Sequence, residues 1–319
     1  MILSVHSAPK AVLGGLVAVP ISCLVLLSHP LPAQAQETPS KKTSWYGEAG
    51  LGGEYDSNVS VDEVDVSSGQ SDYAVIADLK LGLRQTFSDK TEGSINYDVS
   101  QSRYSEFSRV DRLTQILGAD LSTQIKGTSA SVSAYYIDSQ LDGEDFLQYT
   151  RLSPSLARFL SQRWFGRTAY VYSERELDGR SQRNARTNAG EVDLYYFHRG
   201  LRSYANIGYR YRDEDAVAPE LDFRAHALKV RYIRRFDVMN RKAKAEVAMR
   251  YELRDYRFEE PTIGVPRDDN RLRWKLDFEL PLTDKFTWQV YYSYGDYASN
   301  LPRADFTQTI FGSRLQFTW

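Results

Sequence analysis

The stretch AKAEVAMRYELR, residues 243–254, decides the fold. Apolar residues occupy every second position from Ala243 to Leu253, and most of the positions between them are charged. A β-strand places successive side chains on opposite faces, whereas a helix would spread both kinds around its circumference. The stretch therefore predicts a β-strand with one apolar face and one charged face.

The same alternation recurs along the chain, for example in YAVIADLKLGL at 73–83 and LRWKLDFEL at 272–280. It is weaker in the sixth and seventh segments, where Pro154 interrupts and the side occupied by Tyr170 and Tyr172 stays open. We predict an all-β chain of about fourteen strands. The strands lie near residues 44–56, 72–87, 92–104, 111–124, 128–138, 147–160, 167–177, 188–198, 202–212, 223–235, 243–257, 270–280, 286–297 and 306–319.

The connections between these strands predict a transmembrane barrel. Polar, mostly long stretches near 57–71, 105–110, 139–146, 178–187, 213–222, 258–269 and 298–305 alternate with mostly shorter ones. Outer-membrane barrels alternate long external loops with short periplasmic turns in this way. The alternation predicts an up-and-down antiparallel barrel with an even number of strands and both termini in the periplasm.

A soluble β-sandwich is the alternative, because the pattern does not say which face is inside. Two features favour the membrane barrel. The strands are long enough for the nine to eleven residues or so that a tilted membrane strand needs. Aromatic residues also gather at strand ends, where such rings form interfacial girdles. They are Trp45, Tyr73, Tyr104, Phe223, Tyr256, Phe286, Trp288, Tyr297, Phe317 and Trp319.

The first 35 residues have the layout of a secretory signal peptide. Lys10 precedes a long apolar stretch, and Ala33-Gln34-Ala35 gives a small-residue cleavage pattern. An N-terminal membrane anchor is the alternative, which the prolines at 20, 30 and 32 oppose. We predict a removed signal peptide at 1–35, a short periplasmic linker at 36–43, a barrel at 44–319, and location in a bacterial outer membrane.

Removal of residues 1–35 leaves a chain without cysteine, because Cys23 is the sole cysteine in the sequence. A disulfide framework and thiolate chemistry are therefore not expected. The removed segment contains one of the 40 basic residues and none of the 42 acidic ones, so the net charge becomes −3. That balance argues against a nucleic-acid partner.

Both ends of the predicted barrel resemble known barrels. The closing strand places Phe311, Leu315, Phe317 and Trp319 on one face, and resembles the terminal strand that the barrel-assembly machinery recognises, although Phe is the usual last residue. The stretches GGEYDSNV at 52–59 and YSYGDYASN at 292–300 resemble barrels of the "beta-barrel porin 2" type. They are also similar to the barrel half of surface lipoprotein assembly modifiers, which carry a helical-repeat domain before the barrel. After the predicted signal peptide, only residues 36–43 precede the first predicted strand, which disfavours the modifier resemblance.

Catalytic chemistry is not indicated. Only His198 and His226 remain after residue 35, and neither has an obvious Ser or acidic partner for a general base. The acidic run Asp62, Glu63 and Asp65 could bind calcium weakly, but such a run is more often part of a solvated loop. We therefore predict no enzymatic activity, no metal and no cofactor.

The charges that bear most directly on function lie in the predicted lumen. On the ninth to twelfth predicted strands, ten cations share the polar face: Arg210, Arg212, Lys229, Arg231, Lys244, Arg250, Arg254, Arg271, Arg273 and Lys275. Four acids share it, Glu246, Glu252, Asp277 and Glu279, which leaves six cations in surplus. Strands one to three offer acids on the other side of the lumen, namely Glu48, Glu54, Asp78 and Asp98.

Such a transverse field resembles a porin constriction, because charged walls set ion preference in pores. Two interpretations stay open: the cations guide an anionic solute or acidic polysaccharide, or the charges pair and plug the lumen. The sequence favours the conduit, because fourteen strands enclose more space than side chains readily fill. An accessory barrel for secretion or surface assembly, acting through partner proteins, is the alternative function. Outer-membrane lipid and lipopolysaccharide are the expected surroundings.

Overall fold

The computed structural model describes residues 42–319. The predicted signal peptide and residues 36–41 of the predicted linker lie outside the described residues. Within residues 42–319, no helix is long and apolar enough to cross a membrane.

Fourteen strands form one closed antiparallel barrel with up-and-down connectivity, as the sequence predicts. A fifteenth and a sixteenth strand, two residues each, pair with one another inside the first loop. In chain order the strands are β1 Lys42–Asp56, β2 Ser60–Val61, β3 Val66–Ser67, β4 Asp72–Ser88, β5 Thr91–Tyr104, β6 Arg112–Ile125, β7 Thr128–Leu141, β8 Glu144–Phe159, β9 Trp164–Leu177, β10 Ala185–Leu201, β11 Ser203–Ala216, β12 Phe223–Val238, β13 Arg241–Glu260, β14 Val265–Pro281, β15 Phe286–Ser299 and β16 Phe306–Thr318.

The first and last barrel strands close the sheet. β1 pairs with β16 in an unbroken register from Glu48 opposite Thr318 to Asp56 opposite Ile310. Beyond β16, Trp319 exchanges backbone hydrogen bonds with Gly47, at 3.1 and 3.2 Å. Both ends of the barrel chain therefore lie at the same end of the barrel. We call it the turn end, and the opposite end, which carries the first loop, the loop end.

The barrel is apolar outside and polar inside. Leu51, Val75 and Phe311 are more than half exposed on the outer face, whereas Asp56, Asn206 and Gln289 are almost fully buried on the inner face. Water-soluble monomers rarely expose apolar patches of this extent. The arrangement excludes the soluble sandwich and fits lipid outside with a polar lumen inside.

The expected alternation of long and short connections is not strict. Strands β7 and β8 run on through most of the predicted loop at 139–146, and only Asp142 and Gly143 remain between them, both with positive φ. Likewise β11, β13 and β14 extend into the stretches predicted as loops near 213–222 and 258–269. Polar strand ends that continue past the apolar band resemble loops in composition, which explains the error.

The weak sixth segment has a physical cause. The β8–β9 pairing is interrupted between Leu152 and Ser155, around Pro154, because proline has no N–H to donate to the ladder. Tyr170 and Tyr172, whose side was left open, have the outward parity, opposite to that of the buried Val171.

The barrel wall is tightly packed around Gly312, and a substitution there can test this packing. A Cβ at this position would overlap the ring of Tyr291, whose hydroxyl donates to Glu54 at 2.9 Å. We expect Gly312→Val to lower the free energy of unfolding by about 1–3 kcal/mol, the usual cost of overpacking. Urea unfolding of the refolded barrel, followed by tryptophan fluorescence, measures it.

Gly190→Val is the matched control, because no atom lies within 4 Å of a Cβ there. Equal urea midpoints for the two variants would contradict the assigned role of the Tyr291 ring.

Candidate functional site

The first loop crosses the lumen. Residues 57–71, which we call loop 1, connect β1 to β4 and contain β2, a 3-10 turn at Asp62–Val64, and β3. Their side chains reach β6 and β8 on one side of the barrel and β14 on the opposite side. A loop that contacts all three must pass through the interior, so loop 1 narrows the loop end of the lumen.

Asp65 fastens loop 1 to the basic side of the lumen. Its carboxylate accepts two hydrogen bonds from the Arg267 guanidinium of β14, at 2.9 and 3.0 Å, and a third from Arg183 at 2.9 Å. Arg267 and Asp65 are both buried. Paired bonds between a guanidinium and a carboxylate are strong and orient both groups, so this contact fixes the position of the loop.

Two further contacts hold the other flank of loop 1. Glu63 accepts two hydrogen bonds from Arg112 of β6, at 2.8 and 3.1 Å. Val61 packs in a buried apolar cluster with Phe146, Leu147 and Leu177 of β8 and β9. Two of the three acids in the run that could have been a solvated loop or a loose calcium site, Glu63 and Asp65, are thus paired with arginines inside the barrel.

Burial acts differently on two of the acids of loop 1. Desolvation by burial raises the pKa of Asp62, because nearby Arg271 and Arg273 offset only part of the penalty. Burial also opposes ionisation of Asp65, but the hydrogen bonds and charge of Arg267, with Arg183, outweigh it and hold its pKa well below the ordinary 3.8. Asp65 is therefore the charged residue that holds the loop in place, whereas the charge of Asp62 is only partly compensated.

All ten predicted lumen cations have the inward parity, but the expected surplus of six is wrong. Within residues 42–319, nine of the ten have a carboxylate within 4.0 Å. The sequence count missed Glu191 and Asp193 on β10, and it also missed Asp269, which it had assigned to a loop. Glu252 is shared by Arg212, Arg250 and Arg254, and Glu214 by Arg212 and Arg175, so pairing does not neutralise the wall.

Arg273 is the tenth cation, for which the described residues offer no carboxylate within 4.0 Å. It stands in register with two others: Lys229 is directly opposite Arg250, and Arg250 is directly opposite Arg273. Like charges directly opposite one another on adjacent strands destabilise a sheet. We call Lys229, Arg250 and Arg273 the cation row.

A narrow space of about 20 Å³ lies beside the cation row, room for one or two water molecules. Seven arginines and two glutamates are among its lining residues: Arg151, Arg175, Arg210, Arg212, Glu214, Arg250, Glu252, Arg254 and Arg273. The Nε atoms of Arg151, Arg210 and Arg250 are buried there without a hydrogen-bond partner in the described part of the chain. Buried donors of this kind call for water or an anion.

The basic wall is wider than predicted, because Arg151 of β8 and Arg167 and Arg175 of β9 also belong to it. Their parity could have been read only by settling the register around Pro154. Across the lumen, the predicted acids are largely engaged: Glu54 with Tyr291, Asp78 with Arg314 and Asp98 with Lys80. The strands carrying these acids lie opposite β10–β12 rather than β13 and β14.

The two histidines lie on the outer face. His226 is exposed and contacts the hydroxyl of Tyr209 through Nδ1 at 2.7 Å, and His198 is exposed near the turn end of β10. Phe311, Leu315, Phe317 and Trp319 also share the outward face of the closing strand as predicted, while their role as an assembly signal stays a prediction.

Solved outer-membrane barrels have this fold. An anion-selective porin from Comamonas acidovorans aligns over 88% of this chain and 100% of its own, with a TM-score of 0.52 and 8% identity. A loop L8 deletion mutant of OmpT, an outer-membrane protein of Vibrio cholerae, aligns over the same shares with a TM-score of 0.53 and 10% identity. No protein-family model and no curated protein sequence matches the chain. The protein is thus a porin-like outer-membrane β-barrel in fold, and at these identities the likeness shows the fold alone.

Asp65 and Asp62 make a matched pair for testing how loop 1 is fastened. We expect Asp65→Asn to free the loop, because breaking a buried ion pair costs about 3–5 kcal/mol. Asp62→Asn should leave it docked, because this carboxylate is poorly compensated. Labelling of a Ser60→Cys thiol by a membrane-impermeant maleimide measures release, and should speed up more than about tenfold only with Asp65→Asn.

The pH dependence follows from the lowered pKa of Asp65. In otherwise unchanged Ser60→Cys protein, the labelling rate divided by that of free cysteine at the same pH, which removes the fall in thiolate, should stay low from pH 7 to pH 5 and rise only as the pH falls below the ordinary value of 3.8. Equal labelling of the two Asn variants would refute the fastening by Asp65.

Proposed function

We propose that the protein is a non-enzymatic outer-membrane conduit that favours anions. The observation that carries the proposal is the cation row, whose three members stand opposite one another on β12, β13 and β14. Asp193 pairs with Lys229 and Glu252 pairs with Arg250, but Arg273 has no carboxylate within 4.0 Å among residues 42–319, and the three like charges still stand directly opposite one another, which costs stability. An anion in the lumen would supply the missing charge and the missing acceptors for the buried arginine donors.

The cargo that suits this wall is an anionic sugar or an acidic polysaccharide. Repeated carboxylates could engage successive arginines from β8 to β14, as the acids of loop 1 already do at the loop end. A solved barrel of the same fold is named an anion-selective porin, which is consistent with this selectivity. We expect loop 1 or the arginine side chains to move before a sugar passes, because loop 1 crosses the lumen.

Location and partners complete the proposal. A cleaved signal peptide at 1–35 would deliver the chain to the outer membrane, where lipid and lipopolysaccharide surround the barrel and the turn end faces the periplasm. The barrel-assembly machinery would recognise Phe311, Leu315, Phe317 and Trp319 on the closing strand.

An accessory barrel for secretion or surface assembly is the second candidate. Loop 1 favours it, because its buried ion pairs and apolar anchor close much of the loop end. Such a barrel would act through partner proteins that bind its rim or displace the loop.

Planar-bilayer recordings of the refolded protein in a salt gradient separate the two candidates. We expect anion-preferring openings, and a fall of about fivefold or more in the anion-to-cation permeability ratio for Arg250→Ser/Arg273→Ser, because two lumen charges are lost. Arg186→Ser/Arg224→Ser is the control, since it removes two exposed arginines from the outer face.

Recording Asp65→Asn in parallel tests whether loop 1 is the barrier. If neither the unchanged protein nor Asp65→Asn conducts, the conduit is refuted and the accessory function is favoured. An unaltered permeability ratio in the cation-row variant would refute the selectivity alone.

A further inference from the structure

A second group of cations lies at the turn end, away from the lumen site. His198, Arg199, Arg202, Arg234 and Arg235, which we call the outer basic patch, come from the ends of β10 and β12 and the β10–β11 turn. They surround a pocket of about 250 Å³ together with Ser203, Tyr232 and Phe236. Tyr232 and Arg234 share the parity of the exposed apolar residues Leu228 and Val230, so the pocket opens on the lipid-facing wall.

The outer basic patch has too few acids to balance it. Asp237 pairs with Arg202 at 3.5 Å and also with Lys242. Arg235 donates to the carbonyl of Leu201 at 2.6 Å. Within residues 42–319, Arg199 and Arg234 have no carboxylate within 4.0 Å. By contrast, the exposed outer arginines at the loop end are paired, Arg186 with Glu174 and Arg224 with Asp213.

Aromatic side chains place this pocket at the membrane interface. Trp164 and Tyr196 are in contact on the outer wall nearby, with their rings tilted and the ring centroids 4.7 Å apart. The hydroxyl of Tyr232 meets Ser203 Oγ at 2.7 Å at the edge of the pocket. Such rings lie at the level of lipid headgroups, and an outward arginine is tolerated there but costly at the bilayer centre.

We propose that the outer basic patch binds the phosphate of an anionic phospholipid headgroup in the leaflet at the turn end. A guanidinium group can donate two parallel hydrogen bonds to phosphate oxygens. Arg199 and Arg234 are not paired with any carboxylate of the described chain. A lipid fits better than a free phosphate, because Tyr232 and Phe236 give the pocket an apolar side where the glycerol and upper acyl chain can lie. In the orientation predicted from the sequence this leaflet is the periplasmic one.

The site is independent of the proposed conduit, and native mass spectrometry tests it directly. The full barrel is placed in nanodiscs of phosphatidylcholine with a minor share of phosphatidylglycerol, and the lipids it retains on release are counted. We expect preferential retention of phosphatidylglycerol by the unchanged protein. Arg199→Ser/Arg234→Ser should weaken that preference about thirtyfold, since each basic residue near an anionic surface contributes about fivefold.

Arg186→Ser/Arg224→Ser is the matched control, because it removes two exposed outer arginines at the loop end and should retain phosphatidylglycerol like the unchanged protein. The shift in electrophoretic mobility on heating verifies that every variant is folded. Equal retention by both double variants would overturn the proposal. So would a free-phosphate site, in which millimolar inorganic phosphate displaces the lipid or raises the melting temperature as much as phosphatidylglycerol does.

Discussion

Closure of the sheet is the constraint on which the rest of the structure depends. Lipid offers no hydrogen bonds, so each strand must find a partner on both sides, and the pairing of β1 with β16 leaves no free edge. Closure fixes which side chains face inward, and therefore gathers the charges of fourteen strands around one polar lumen. The basic wall, the acids opposite it and the path of loop 1 all follow from that geometry.

Inside the lumen, the placement of acids decides what the charges do. Most cations are compensated within the wall, often by a carboxylate on the neighbouring strand, so they stiffen the barrel as well as charge it. Loop 1 adds its own carboxylates and turns an open tube into a narrowed one. The conduit and the plug, which the sequence leaves as alternatives, would then be two states of one lumen.

The sequence predicted the strands, their faces and the inward position of all ten cations, because period-two alternation is a local property. It did not predict partners. Arg210 meets Glu191, and Lys229 meets Asp193, through the registers of β10 with β11 and of β11 with β12, which local alternation does not fix. The entry of loop 1 into the lumen was equally hidden, because Asp65 meets Arg267 across 202 residues of chain. Proline in β8 obscured the parity that would have revealed Arg151.

Glu252 has a consequence for how this wall can vary. One carboxylate holds Arg212, Arg250 and Arg254 in place. Each of the three arginines can be exchanged singly while the remaining two still share their acceptor. Among residues 42–319, Arg250 and Arg254 have no other carboxylate within 4.0 Å, so the loss of Glu252 would leave both without a counter-charge, whereas Arg212 would keep Glu214 at 3.7 Å. Among related sequences we therefore expect the three arginines to vary one at a time, while position 252 remains a glutamate.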